Sequence, residues 1–143
     1  MPATTFDESS TVIEYYEKRP VVEDFHKSLK TGCRVEERQY ETSERLEAIT
    51  GLLGVAAVRL LQLRSASRQT PNHAAEEVVP SHWVTVLSRL RGGRPIVTVR
   101  DFFRQLAGLG GHMLRKCDGE PGWITLWRGF ERLHLALASS EKR

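Results

Sequence analysis

Between residues 44 and 67 the chain sets Leu46, Ile49, Leu52, Leu53, Ala56, Val58, Leu60, Leu61 and Leu63 around most of the circumference of a helix. A helix that is apolar on nearly every side has to be surrounded by other elements. This segment is therefore expected to be the central buried spine of the fold, with Thr42 or Ser43 capping its start. Its longest apolar run, residues 49–58, contains Thr50 and two glycines and is closed by Arg59. That is shorter than the roughly 20 residues a membrane span needs, so a protein interior is expected and no membrane partner.

The elements around the spine also read as helices. Residues 7–18 favour one, with Val12, Ile13, Tyr15 and Tyr16 supplying apolar surface. Pro20 disfavours helical geometry at Arg19 but suits the first turn of a new helix. The expectation is a break at Arg19 and a second helix over 20–31, stopped by Gly32. Residues 33–41 have no period and are expected to cross irregularly, with room for one short extended piece. Residues 67–79, with Pro71, Asn72 and paired glutamates, lack a core pattern and read as a mobile connection. A short helix opens at Pro80 or Ser81 and ends at Gly92, Gly93 and Pro95. Thr98 with Asp101 forms a capping-box-like start for a stripe of Val99, Phe102, Phe103, Leu106, Leu109 and Met113, which Gly110 and Gly111 kink or shorten. A last helix carries Trp123, Leu126, Trp127, Phe130, Leu133 and Leu137 on one side. The fold class is mainly α, with at most one short strand.

At 143 residues the chain is one ordinary domain, able to bury a core without disulfides or metal. Cys33 and Cys117 lie far apart without CxxC spacing, which argues against a zinc site or disulfide framework and for a reducing, cytoplasmic setting. The acidic, polar opening has the wrong chemistry for a signal or transit peptide. A net charge of +3 permits nucleic-acid contact without demanding it, so a local patch has to carry that argument.

One run offers such a patch. On a single helix the spacings from Tyr16 to Arg19, Glu23 and Lys30 would lay these residues roughly along one stripe. With the break at Arg19, the arginine would stand at the mouth of the second helix, where free backbone N–H groups attract phosphate. Glu23 would lie one turn in, and Lys27 and Lys30 beyond it. A carboxylate among bases and a tyrosine hydroxyl suits metal-dependent chemistry on a phosphodiester. By spacing alone, an ordinary charged helix face with a Glu23–Lys27 pair is the simpler reading. The aromatic run Trp123, Trp127 and Phe130 likewise reads either as a stacking platform for bases or, more simply, as core or interface packing. His82, His112 and His134 receive no role, and Arg34, Arg38, Arg59 and Arg64 read as solvated or interface residues.

Tyr16-x2-Arg19-x3-Glu23-x6-Lys30 resembles the tyrosine, arginine, glutamate, lysine signature of bacterial insertion-sequence-four type transposases. The neighbouring words agree: Glu-Asp-Phe-His-Lys-x-x-Lys-Thr-Gly at 23–32, Val-Ala-Ala-Val-Arg-Leu-Leu-Gln-Leu-Arg at 55–64 and Gly-Trp-Ile-Thr-Leu-Trp-Arg-Gly-Phe at 122–130. The likeness runs from about Phe6 to Leu137 and corresponds to that family's C-terminal third. It implies a helical C-terminal segment of a ribonuclease H-like transposase. Residues 1–32 would carry the end of the catalytic domain and residues 33–143 a dimerisation domain. Glu23 looks like the catalytic, metal-binding glutamate. Tyr16, Arg19 and Lys30, joined by His26 and Lys27, would contact the phosphates of a transposon end. The family's cofactor is a pair of divalent ions, usually magnesium, with manganese the other candidate.

Two departures qualify what the resemblance implies. Pro20 stands where the family usually has tryptophan, which alters the local backbone or packing. Both catalytic aspartates are missing, because Asp7, Asp24, Asp101 and Asp118 fall in helix-like or turn segments rather than on strands of a mixed sheet. The expectation is a C-terminal fragment of a cut-and-paste DNA transposase, inactive as this chain and binding no metal by itself. It would keep contact with DNA and pair with a second copy or with the full-length enzyme. The alternative is an independent small helical interaction protein, or an inhibitor that pairs with intact transposase.

Overall fold

The computed structural model describes residues 6–140, and side chains from Ser10 onward. Met1 to Thr5 of the acidic opening and the side chain of Asp7 lie outside what is described. Helix accounts for 73% of the described residues, which contain no strand, so the fold is mainly α. The long helices are α1 (Phe6–Lys27), α2 (Ser43–Gln69), α3 (Ser81–Leu90), α4 (Val99–Leu109) and α5 (Trp123–Ser140). The closest thing to extended structure is a single bridge between Ala74 and Thr98.

Pro20 does not break the first helix. Helix α1 runs straight through it and continues into one π turn, Ser28–Gly32. Proline's fixed φ is already a helical value; what it costs is one backbone donor and ring crowding against the preceding turn. The carbonyl that loses this partner belongs to Tyr16, on an exposed stretch open to solvent. The expected break at Arg19, and with it a new helix N-terminus at Pro20, is therefore corrected. The segment 33–41 is not extended either: it forms a short 3₁₀ turn, Val35–Glu37, entered through Arg34 in the left-handed region at φ 52°.

Thr42 caps α2, its hydroxyl accepting from the Arg45 N–H at 3.4 Å. The helix is buried along one face only, through Leu53, Ala57, Leu60, Leu63 and Ser67. Leu52, Val55 and Val58 are exposed, so α2 is a flank of the bundle rather than a spine enclosed on all sides. By length and composition α2 would suffice to cross a membrane, the one such helix among the described residues. The uninterrupted apolar run understated this, because Arg59 and Arg64 interrupt the stretch without making it polar overall.

The main core joins Leu60 and Leu63 of α2, Val84 and Leu87 of α3, and the inner faces of α4 and α5. Helix α4 begins with a complete capping box, each of Thr98 and Asp101 donating its backbone N–H to the other's side-chain oxygen at 3.1 Å. Its stripe of Val99, Phe102, Phe103 and Leu106 is buried as its period demands. The helix stops at Leu109, and Met113 is exposed. Helix α5 answers with Trp123, Leu126, Phe130, Leu133 and Leu137. Trp123 and Phe130 are core residues, which favours packing over a stacking platform for those two; Trp127 is half-buried and packs against both hydrophobic clusters.

The connection over 67–79 is tied down, contrary to the mobile segment its composition implied. Ala75 and Val79 are core residues. Ala75 N–H donates to the Val97 carbonyl and Val99 N–H to the His73 carbonyl, both at 2.9 Å. A second small cluster sits under the π turn, where Cys33, Leu53 and Ala57 meet Phe25 and Leu29. Burial pushes the Cys33 thiol up to about 11, so it behaves as a small apolar side chain at neutral pH.

Candidate nucleic-acid interface

Because α1 is continuous, Tyr16, Arg19, Glu23 and Lys27 follow one another at helical spacings along a single exposed stripe. Tyr16 is 68% exposed. Arg19 donates through Nε to Glu23 Oε1 at 2.9 Å, with both side chains about two-thirds in solvent. Lys27 and His26 make up the basic last turn of α1, and the His26 ring lies edge-on to Phe25 at 5.6 Å.

Lys30 belongs to the π turn rather than to α1, and its ammonium reaches Glu36 Oε1 at 2.8 Å. The hydrogen bond and the charge of Glu36 raise the Lys30 pKa above its ordinary value. The structure thus places Tyr16, Arg19, Glu23 and Lys27 on one stripe, leaves His26 beside it, and ties Lys30 to the following 3₁₀ turn. Glu36 was not among the sequence candidates. Its role depends on the π turn and on the left-handed Arg34, and neither leaves a pattern in the sequence.

The stripe can present a phenol, a guanidinium and an ammonium to a phosphate chain, with Glu23 holding the guanidinium in place. It no longer offers the free backbone N–H groups that a helix start at Pro20 would have supplied. Among the described residues no three His, Cys, Asp or Glu side chains converge. Glu23 is a lone surface carboxylate already paired with Arg19, whereas a divalent ion takes several oxygen ligands. This donor set does not fit a two-metal centre, and no chemical step is derived through one. Two other aspartates are committed elsewhere: Asp101 caps α4, and Asp118 accepts the Arg115 N–H at 2.9 Å.

Of the other basic residues, Arg34 pairs with Glu37 at 3.3 Å and Arg59 donates to Gln62 at 3.2 Å. His134 lies 4.1 Å from the Phe130 ring and 4.7 Å from Trp83, centroid to centroid, as a packing residue. An open, mainly apolar cleft of about 1110 Å³ lies between α1, α2, α3 and α5, lined by Phe25, Ile49, Leu52, Trp83, Trp127 and Phe130. Compared with the family models of known proteins, the chain matches none.

Proposed function

We propose that the chain is a C-terminal piece of a cut-and-paste DNA transposase of the insertion-sequence-four type. In this reading it contacts DNA phosphates through α1 and associates with another copy or with the intact enzyme, in the cytoplasm. The single observation that supports it is the exposed, uninterrupted stripe of Tyr16, Arg19, Glu23 and Lys27. An exposed helix face that keeps a tyrosine, an arginine and a lysine in line, with the tyrosine 68% in solvent, suits a backbone-reading surface. Association is supported by a different feature, the open cleft and the exposed Leu52, Val55 and Val58 beside it. Contiguous exposed apolar surface of this kind marks an interaction site. The cleft serves equally the alternative of a small helical partner or inhibitor of the intact enzyme.

The decisive experiment is a salt titration of duplex DNA binding for the parent chain and for Arg19→Ala combined with Lys27→Ala, the two bases of the stripe. Each phosphate contact contributes roughly 0.9 to the log-log salt slope. The parent should bind weakly and lose affinity steeply as salt rises, and the double variant should lose both affinity and about two units of slope. Identical curves would make the stripe an ordinary solvated helix face. Purified protein with magnesium or manganese is expected neither to nick nor to join DNA, because Glu23 supplies one ligand where two-metal cleavage needs a set of them. Metal-dependent cleavage abolished by Glu23→Gln would overturn that expectation.

A further inference from the structure

Beside the stripe, between α1 and α2, lies a pocket of about 220 Å³ lined by Pro20 and Asp24 on one side and by Arg64, Ser65, Arg68 and Gln69 on the other. Arg64 and Arg68 stand one helical turn apart on α2. Arg64 is half-buried, with its guanidinium carbon 4.5 Å from the centroid of the Trp123 ring. Its Nε is wholly removed from solvent and meets no acceptor. A charged donor in that situation lacks the hydrogen bond that would offset its desolvation. Burial and the neighbouring Arg68 charge both lower the Arg64 pKa, opposed by the carboxylates of Asp24 and Glu120.

We propose that this pocket binds one phosphate-class oxyanion, held by the Arg64 and Arg68 guanidinium groups with Ser65 and Gln69 as neutral donors. A guanidinium packed on an aromatic face can still offer its terminal Nη groups for charge-assisted bonds to such an anion. Two arginines against one aspartate leave a single net positive charge on the lining, which matches the single charge of a phosphodiester. Naming a DNA backbone phosphate as the source rests on the transposase reading; the oxyanion site itself does not. Pro20 gives the pocket a low wall, and an indole at that position would project over it.

The test follows the Arg64 Nε–H resonance by NMR as the whole chain is titrated with inorganic phosphate, with sodium chloride at matched ionic strength as the control. A saturable shift is expected for the parent and its loss for Arg68→Gln, an exposed position where the fold is not at stake. Pro20→Trp, which keeps both arginines, should also lose it. In parallel, Arg68→Gln should reduce the salt slope of duplex DNA binding by about 0.9, the contribution of one phosphate. Saturation by phosphate with an unchanged slope upholds the site and assigns it to free phosphate instead of DNA. A shift absent in the parent, reproduced by chloride, or retained in Arg68→Gln overturns the proposal. Because Arg19 and Lys27 are untouched here, the pocket can fail while their DNA contacts stand, and those contacts can fail while the pocket fills.

Discussion

Gly129→Ala is expected to destabilise the protein severely, because the added methyl would come within 1.9 Å of the Leu106 carbonyl oxygen. Gly110 faces the same crossing from the other side, where a Cβ would meet the Thr125 carbonyl oxygen at 1.7 Å. Here the end of α4 and the middle of α5 touch backbone to backbone, which is how the two helices bring their aromatic and leucine stripes together. The obstacle is steric, since Gly110 has an ordinary φ of −83°. Overpacking usually costs about 1–3 kcal/mol. The obstructing atoms here are helix carbonyls that cannot rotate away, so the loss should exceed about 3 kcal/mol, a large part of the roughly 5–15 kcal/mol that holds a domain folded. Gly51→Ala in α2 is the control. No atom lies within 4 Å of the space its methyl would fill, so alanine should instead stabilise the helix by up to about 1 kcal/mol. Urea midpoints for the two variants check both signs, and an unchanged midpoint for Gly129→Ala would mean that the α4–α5 crossing is misdescribed.

That crossing was invisible in the sequence for a definite reason. Periodicity reports side chains, and it correctly placed Phe102, Phe103, Leu106, Leu126 and Leu133 in the core. A glycine contributes no side chain to the pattern. Inside α5 it reads only as a weak helix former, although that weakness is itself the trace of a close backbone approach. The capping box of Thr98 and Asp101 was legible because both halves of the interaction lie within four residues. Ala75 and Val79 were missed because their burial depends on the bridge from Ala74 to Thr98, a contact between segments far apart in the chain.

The candidate site divides along the same line. The Arg19–Glu23 pair is a local i,i+4 relation and could be read directly. The behaviour of Pro20 could not: proline's steric bias against helix at the preceding residue is a preference, and whether a continuous helix overrides it is not written in the local pattern. The Lys30–Glu36 pair and the pocket between Asp24 and Arg64 both need the chain to turn back on itself. Hydrophobic pattern and helix spacing say nothing about either.

The second large effect separates the two sides of α2. Leu60→Ala is expected to cost about 2–5 kcal/mol, since a leucine 1% exposed in the main core leaves a cavity when truncated. Leu52→Ala, eight residues earlier on the same helix, removes an equal number of carbons from a side chain that is 65% exposed at the cleft. Its effect on the isolated monomer should stay within about 0.5 kcal/mol. Nothing in composition distinguishes these two leucines; what differs is whether α4 and α5 cover them. The comparison also probes association, because a partner that binds only the folded chain stabilises it by an amount that rises with the logarithm of its concentration. Urea midpoints measured at low and at high micromolar protein should coincide for the Leu60→Ala loss. If the cleft closes against a second copy, Leu52→Ala should match the parent at low concentration and fall below it at high concentration. A Leu52 loss as large as that of Leu60 at every concentration would return α2 to the fully enclosed spine that its apolar circumference implies.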